Sequence, residues 1–225
     1  AWGMTISVNK TKVMCVAAPQ DELRQPIVLR GEAVGEVDDF KYLGSLIASS
    51  GKCEKEIRVR IGRAWDKFKK LKREVFRHRC ISIKTKMRFF KVQVLPVLTY
   101  GWETWTMTEE QVRHLNAQFM GMLRSMLHLT TKDMVRNEDI LKECGLEKSL
   151  RDMLRDSREI WVMRVMRMDD DRLPKQVLCG TLTNANPRGR GRPTMRWQDN
   201  ALETLAQSVT RDFTPALLEL SLIHI

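Results

Sequence analysis

Apolar residues recur along this chain in two rhythms. Over the first 50 residues they come in short runs of strand-forming type: around Ile6 to Val8, Val13 to Val16, Ile27 to Leu29, Val34 to Val37, and the run Phe40-Lys41-Tyr42-Leu43-Gly44-Ser45-Leu46-Ile47. Gly31 marks a turn between two of these runs, and Ser49-Ser50-Gly51 closes the last. These runs predict a β-rich piece, too small to close a core alone. From Gly51 the rhythm changes to steps of three and four. Ile57, Ile61, Ala64, Phe68, Leu71 and Val75 lay one stripe along a helix that ends near His78 to Ile81.

Further helices follow. Ser82 is a plausible N-cap for a helix with Met87, Phe90, Val94 and Leu98 down one side, which Pro96 should kink. Thr108 with Gln111 is a capping-box pattern ahead of Val112, Leu115, Phe119, Met122, Leu123 and Met126. Asn137 is expected to cap a short helix ending at Cys144-Gly145. Residues 147–168 carry Leu150, Met153, Leu154, Ile160, Trp161 and Val165 on a further helix, and residues 194–207 form the last. Trp102 and Trp105 read as core anchors. The expected class is α+β: a small N-terminal β-hairpin-rich piece followed by a mainly helical bundle. The expected divisions are 1–51, 52–130, 131–208 and a tail at 209–225, where Ser221 to Ile225 finds no place in the pattern.

Charge changes this picture at one place. Residues 52–91 hold 16 Lys and Arg against 4 Asp and Glu, a surplus of 12, whereas the whole chain has 39 against 28. The remainder is then 23 against 24, about neutral. The basicity sits on one helical segment. On a helical wheel Arg60, Arg63, Lys67 and Lys70 form a stripe beside the apolar one, with Arg58 on the other shoulder. A concentrated basic face suits a polyanion; an ordinary solvated helix is the plainer alternative. A second basic stretch, residues 184–196, contains Arg188, Arg190 and Arg192 among Gly and Pro. It reads either as an extended minor-groove contact or as a flexible linker.

The rest of the composition mostly excludes. A hydrophobic content of 43% with 30% charged residues is globular. Uncharged runs such as residues 92–102 fall well short of the ~20 residues a membrane helix needs, so no membrane partner is expected. Five scattered cysteines without a C-x-x-C pair argue against a disulfide framework or a zinc knuckle and fit a reducing compartment. Asp169-Asp170-Asp171 is a helix-end turn, because adjacent side chains there point different ways. No phosphate-loop, nucleophile-elbow or zincin motif occurs. The chain enters on Ala1 in mid-pattern, which leads us to expect a piece of something longer.

Seven motifs in order then carry a resemblance: Gly3-Met4-x-Ile6 with Lys10-Thr11-Lys12; Phe40 to Ser45; Glu56-Ile57-x-x-Arg60-Ile61; Leu98-x-Tyr100-Gly101-x-Glu103-x-Trp105; Arg167-Met168; Arg172-Leu173-Pro174; and Gly191-Arg192-Pro193-x-x-Arg196-Trp197-x-Asp199. Together they resemble the C-terminal third of the endonuclease–reverse transcriptase of LINE-type (non-LTR) retrotransposons, over residues 3–205. The resemblance implies the end of a palm (1–51), a basic helical thumb (52–130) and a C-terminal helical extension (131–208). It implies that Lys10 is the general acid toward pyrophosphate and that Tyr42-Leu43-Gly44 is a primer grip. Arg58, Arg60, Arg63, Lys67 and Lys70, with Arg188, Arg190 and Arg192, would contact nucleic acid: an RNA template, an RNA–DNA hybrid or a DNA duplex. Ser7 stands where the family places Asn. The catalytic aspartates and their Mg²⁺ would belong to the missing palm and fingers of the parent. This chain alone would then need no cofactor and would not polymerise. The family implies an intracellular setting, nuclear and cytoplasmic. Two other readings stay open: a stand-alone DNA-binding module built on residues 190–193, and a transposon relic without function.

Overall fold

The computed structural model describes residues 6–16, 26–179 and 197–211. The fold is α+β, as the alternation of rhythms predicts. The chain forms two compact units, Ala1–Tyr100 and Gly101–Ile225. The division falls inside the segment 52–130 that the sequence groups together.

The first unit begins with short strands. β1 (Lys12–Val13) pairs in parallel with β4 (Gly35–Glu36), and β2 (Val28–Leu29) pairs antiparallel with β3 (Glu32–Ala33) across Arg30-Gly31. The strand expected at Ile6 to Val8 is instead a 3₁₀ turn, Val8–Lys10, fastened by the Thr11 hydroxyl donating to the Ser7 carbonyl at 2.8 Å. A local side-chain bond here outcompetes a strand that has no partner. β5 (Asp39–Tyr42) and β6 (Ser45–Ala48) form a hairpin in the register Asp39↔Ala48 to Tyr42↔Ser45. Only Leu43 and Gly44 lie between them. Both have positive φ, 47° and 88°, the geometry of a type I′ turn whose twist matches that of the strands.

α1 (Glu54–Leu71) runs on into a π-helical turn, Lys72–Phe76. Ile57, Ile61, Ala64 and Phe68 are buried, as the spacing predicts, but Phe76 is buried in place of Val75. The π turn inserts one residue and rotates the stripe by about one position. A second helical run comprises α2 (Ile83–Phe89), a π turn at Phe90–Val94 and α3 (Leu95–Leu98). Ser82 caps it through its hydroxyl, which accepts from the Thr85 amide. The break falls just ahead of Pro96, whose ring cannot accommodate a regular turn behind it. Phe68 is the centre of this core. Phe76 stacks on it at 4.9 Å between centroids, and Trp65 and Phe90 meet it edge-on at 5.5 and 6.4 Å. Each such pair contributes about 0.5–1.5 kcal/mol beyond area burial.

The second unit is helical. A 3₁₀ turn, Trp102–Thr104, precedes α4 (Glu109–Met126), whose capping box is formed in both directions between Thr108 and Gln111. α5 (Asn137–Glu143) begins at Asn137 rather than being capped by it, because Arg124 donates to the Asn137 side chain at 2.7 Å. α6 (Leu150–Met166) is capped by Ser149. It buries Leu150, Leu154, Arg158, Val162 and Val165 in steps of four and three. Ile160, expected in that core, is 63% exposed. Arg158 occupies the stripe and donates to the Trp105 carbonyl at 2.7 Å. α7 (Leu173–Cys179) tolerates Pro174 in its first turn, and α8 (Trp197–Arg211) docks through Trp197. The Trp197 ring meets Trp161 edge-on, and its indole donates to the Glu103 carbonyl. Among the described residues no helix is long and apolar enough to cross a membrane.

Candidate nucleic-acid interface

The hairpin and the basic helix are joined through one buried carboxylate. Glu56 lies in the first turn of α1, on the edge of its apolar stripe, and faces β6. One of its oxygens accepts from the Leu46 amide at 2.8 Å. The other accepts from the Ser45 hydroxyl at 3.0 Å and from Arg60 Nε at 2.6 Å. The side chains of this i, i+4 pair are 3% and 7% exposed. Arg60 then turns its other end to the hairpin, where Nη2 donates to the Gly44 carbonyl at 2.5 Å. Its guanidinium carbon sits 4.3 Å from the centroid of the Tyr100 ring. The Tyr100 hydroxyl donates to the Leu43 carbonyl at 2.6 Å. Both carbonyls of the two-residue turn are thus bonded, one from α1 and one from the end of the second helical run. Desolvating the Glu56–Arg60 pair is unfavourable, and this set of hydrogen bonds offsets it.

Arg60 is therefore not part of the exposed cationic stripe that the sequence predicts. Its charge is spent on the hairpin and on Glu56, and burial excludes it from phosphate contact in this conformation. The remainder of the stripe is in place: Arg63 and Lys70 are exposed and Lys67 is half-buried, while Arg58 is exposed on the other shoulder of the helix. Arg63 Nη1 reaches the Gly44 carbonyl only at 3.5 Å, a marginal contact. Among the described residues Arg58, Lys67 and Lys70 form no ion pair, which leaves their charge available to an external anion. Lys69 in the last turn of α1, and Arg73, Arg77 and Arg79 after it, extend the exposed basic surface. The second helical run adds Arg88 and Lys91 beside exposed Phe89 and Val92. Cations for phosphate next to exposed apolar groups for sugar and base are what a nucleic-acid surface requires.

The tip of the hairpin is exposed. Leu43 is 76% accessible and Tyr42 projects beside it. Lys10 is exposed at the end of its 3₁₀ turn, and no described contact brings it to the hairpin. Arg188, Arg190 and Arg192 lie outside the described residues. Of Asp169, Asp170 and Asp171, the middle carboxylate is ion-paired with Lys175 at 2.6 Å. No group of three His, Cys, Asp or Glu among the described residues is placed to hold a metal.

Sequence reasoning singles out Arg60 but misses its partners Glu56 and Tyr100 as site residues. One signal for Glu56 is present: an acid and a base four apart, each adjacent to a core position, Ile57 and Ile61. Tyr100 carries no such signal, because its partner lies 57 residues away in the chain.

Comparison with known proteins gives an origin but not a family. The chain is 27% identical over 220 residues to a protein of Caenorhabditis elegans described as transposon-derived and uncharacterised, covering 93% of this chain and 75% of that one. No family model matches. No solved structure matches. The similarity points to a mobile-element origin.

Proposed function

We propose that this chain is the C-terminal part of a LINE-type endonuclease–reverse transcriptase, and that it holds primer–template duplex without polymerising by itself. One observation carries the reading: the helix that bears the exposed cations also anchors the Tyr42-Leu43-Gly44 turn. A duplex lying on Arg63, Lys67 and Lys70 would meet that turn with its primer end. The Leu43 and Gly44 carbonyls are already bonded, so the primer would meet the turn's amides and the Tyr42 and Leu43 side chains. The ordered motifs of the sequence support the same assignment, and the similarity to a transposon-derived protein supports the mobile-element origin it requires. The carboxylates and Mg²⁺ of the two-metal reaction would come from other parts of the parent.

The test is fluorescence anisotropy with an RNA–DNA hybrid. Binding is expected to saturate and to weaken about 40- to 150-fold between about 50 and 200 mM salt, the loss that three to four phosphate contacts produce at a slope of about −0.9 each. RNA duplex should compete, with little dependence on sequence. Template-dependent primer extension by the pure chain in Mg²⁺ or Mn²⁺ would contradict the reading. So would the absence of hybrid binding at low salt, which would leave a relic of a mobile element.

A further inference from the structure

We infer that Tyr100 is a positioning residue for the hairpin tip, holding the Leu43-Gly44 turn in the conformation that nucleic acid meets; the second half of this rests on the duplex-binding function proposed above. The turn has an external hold. A type I′ turn favours Asn or Gly at its first central position, because an L side chain with φ near +50° crowds its own carbonyl. Here that position is Leu43, with φ 47° and its side chain 76% exposed. Neither local sequence preference nor burial of the leucine side chain favours the conformation. What acts on it is the bond from the Tyr100 hydroxyl to the Leu43 carbonyl, at 2.6 Å.

Tyr100 acts a second time through its ring. The ring lies against Arg60, whose Nη2 holds the next carbonyl, that of Gly44. One residue thus fastens one turn carbonyl directly and steadies the cation that fastens the other. A Cβ added at Gly44, whose φ is +88°, would come into ordinary contact with the Tyr100 ring. A non-glycine residue at a positive φ carries a backbone cost, and such positions concentrate at ligand contacts.

Tyr100→Phe separates the two roles, since it deletes the hydroxyl and keeps the ring beside Arg60. Amide hydrogen exchange across residues 43–47 reads the turn directly, without nucleic acid. Exchange there is expected to rise about fivefold, the effect of one hydrogen bond, while amides around Phe68 and Leu98 keep their protection. Adding Leu43→Asn, which supplies a residue suited to positive φ, should restore the protection in the Tyr100→Phe background; a general loss of packing would not be rescued this way. Hybrid affinity of Tyr100→Phe should fall about threefold to tenfold at fixed salt. Unchanged exchange at residues 43–47, or exchange that Leu43→Asn fails to rescue, overturns the positioning role. Faster exchange with unchanged hybrid affinity overturns its connection to binding. If the wild-type chain binds no hybrid, the function proposed above fails while the exchange result still decides what Tyr100 does to the turn.

Discussion

Replacing Arg60 with Gln should destabilise the first unit far more than replacing its neighbour Arg63. The two residues look equivalent in sequence, both on the basic stripe of α1. In the structure Arg60 is 6% exposed and bonded to Glu56 and to Gly44, whereas Arg63 is exposed with one marginal contact. Removing one member of a buried pair leaves the other charge without compensation and costs about 3–5 kcal/mol. The Glu56 carboxylate would keep its bonds from Ser45 and Leu46, which places the expected loss near the lower end, about 3 kcal/mol. An exposed substitution such as Arg63→Gln stays within about 0.5 kcal/mol. Because the chain has two units, the measurement must report on the first alone. Native-state hydrogen exchange of core amides in residues 57–68 does so. At tenfold per about 1.4 kcal/mol, Arg60→Gln should speed their exchange by roughly a hundredfold. Glu56→Gln should act similarly, and the double variant should lose less than the sum, since the two share one interaction. A loss under about 1 kcal/mol for Arg60→Gln, equal to that of Arg63→Gln, would refute the buried clamp.

Two further outcomes concern the second unit. The Ser149 hydroxyl, at 2.6 Å, and then the Arg155 charge hold the Asp152 carboxyl below its ordinary value of 3.8. A carboxyl depressed on folding stabilises above its unfolded pKa, and that contribution disappears as pH falls through the folded value. Asp152→Asn should therefore lower the melting temperature at neutral pH, by under about 1 kcal/mol equivalent for so open a site. The gap from wild type should close in acid below 3.8; a gap that persists there would contradict the assignment. Burial, followed by the Glu143 charge, pushes the Cys144 thiol up to about 11. Iodoacetamide at mildly alkaline pH should label exposed Cys80 and Cys179 well before Cys144, as peptide mass spectrometry would show. Equal labelling of all three would mean that the Cys144 environment is not closed.

Much of the helical framework is legible in the sequence, because its signals are local. The Thr108 and Ser82 caps, the α4 stripe and the buried Trp102 and Trp105 all follow from spacing of a few residues. The failures have non-local causes. Val75 gives way to Phe76 because a π turn shifts the register, and nothing in a 3.6-residue period foresees an inserted residue. Arg158 displaces Ile160 from the core of α6 because a carbonyl of Trp105, 53 residues earlier, accepts its hydrogen bond. The candidate site shows the same division. Its cations are visible as a local surplus, but its turn is not: Phe40 to Ile47 reads as one strand-forming run, and only the resemblance singles out Tyr42-Leu43-Gly44. The buried role of Arg60 is not visible, since the Gly44 carbonyl and the Tyr100 ring that hold it come from separate parts of the chain. Glu56 and Arg60, which in sequence are two charges on one helix face, form the joint between helix and hairpin.

The central claim is that the cationic stripe of α1 lies on phosphate, and the salt dependence of hybrid binding by a stripe variant tests it most directly. Arg63, Lys67 and Lys70 are changed together to Gln, leaving buried Arg60 intact so that the unit stays folded. Log Kd for an RNA–DNA hybrid is followed against log salt. A control variant, Lys132, Arg136 and Lys142 to Gln, makes the same change in net charge on exposed positions of the second unit. Three lost phosphate contacts should flatten the slope of the stripe variant by about 2–3 units and leave that of the control unchanged. Equal slopes for wild type, control and stripe variant would contradict the claim and reduce those residues to a solvated helix face.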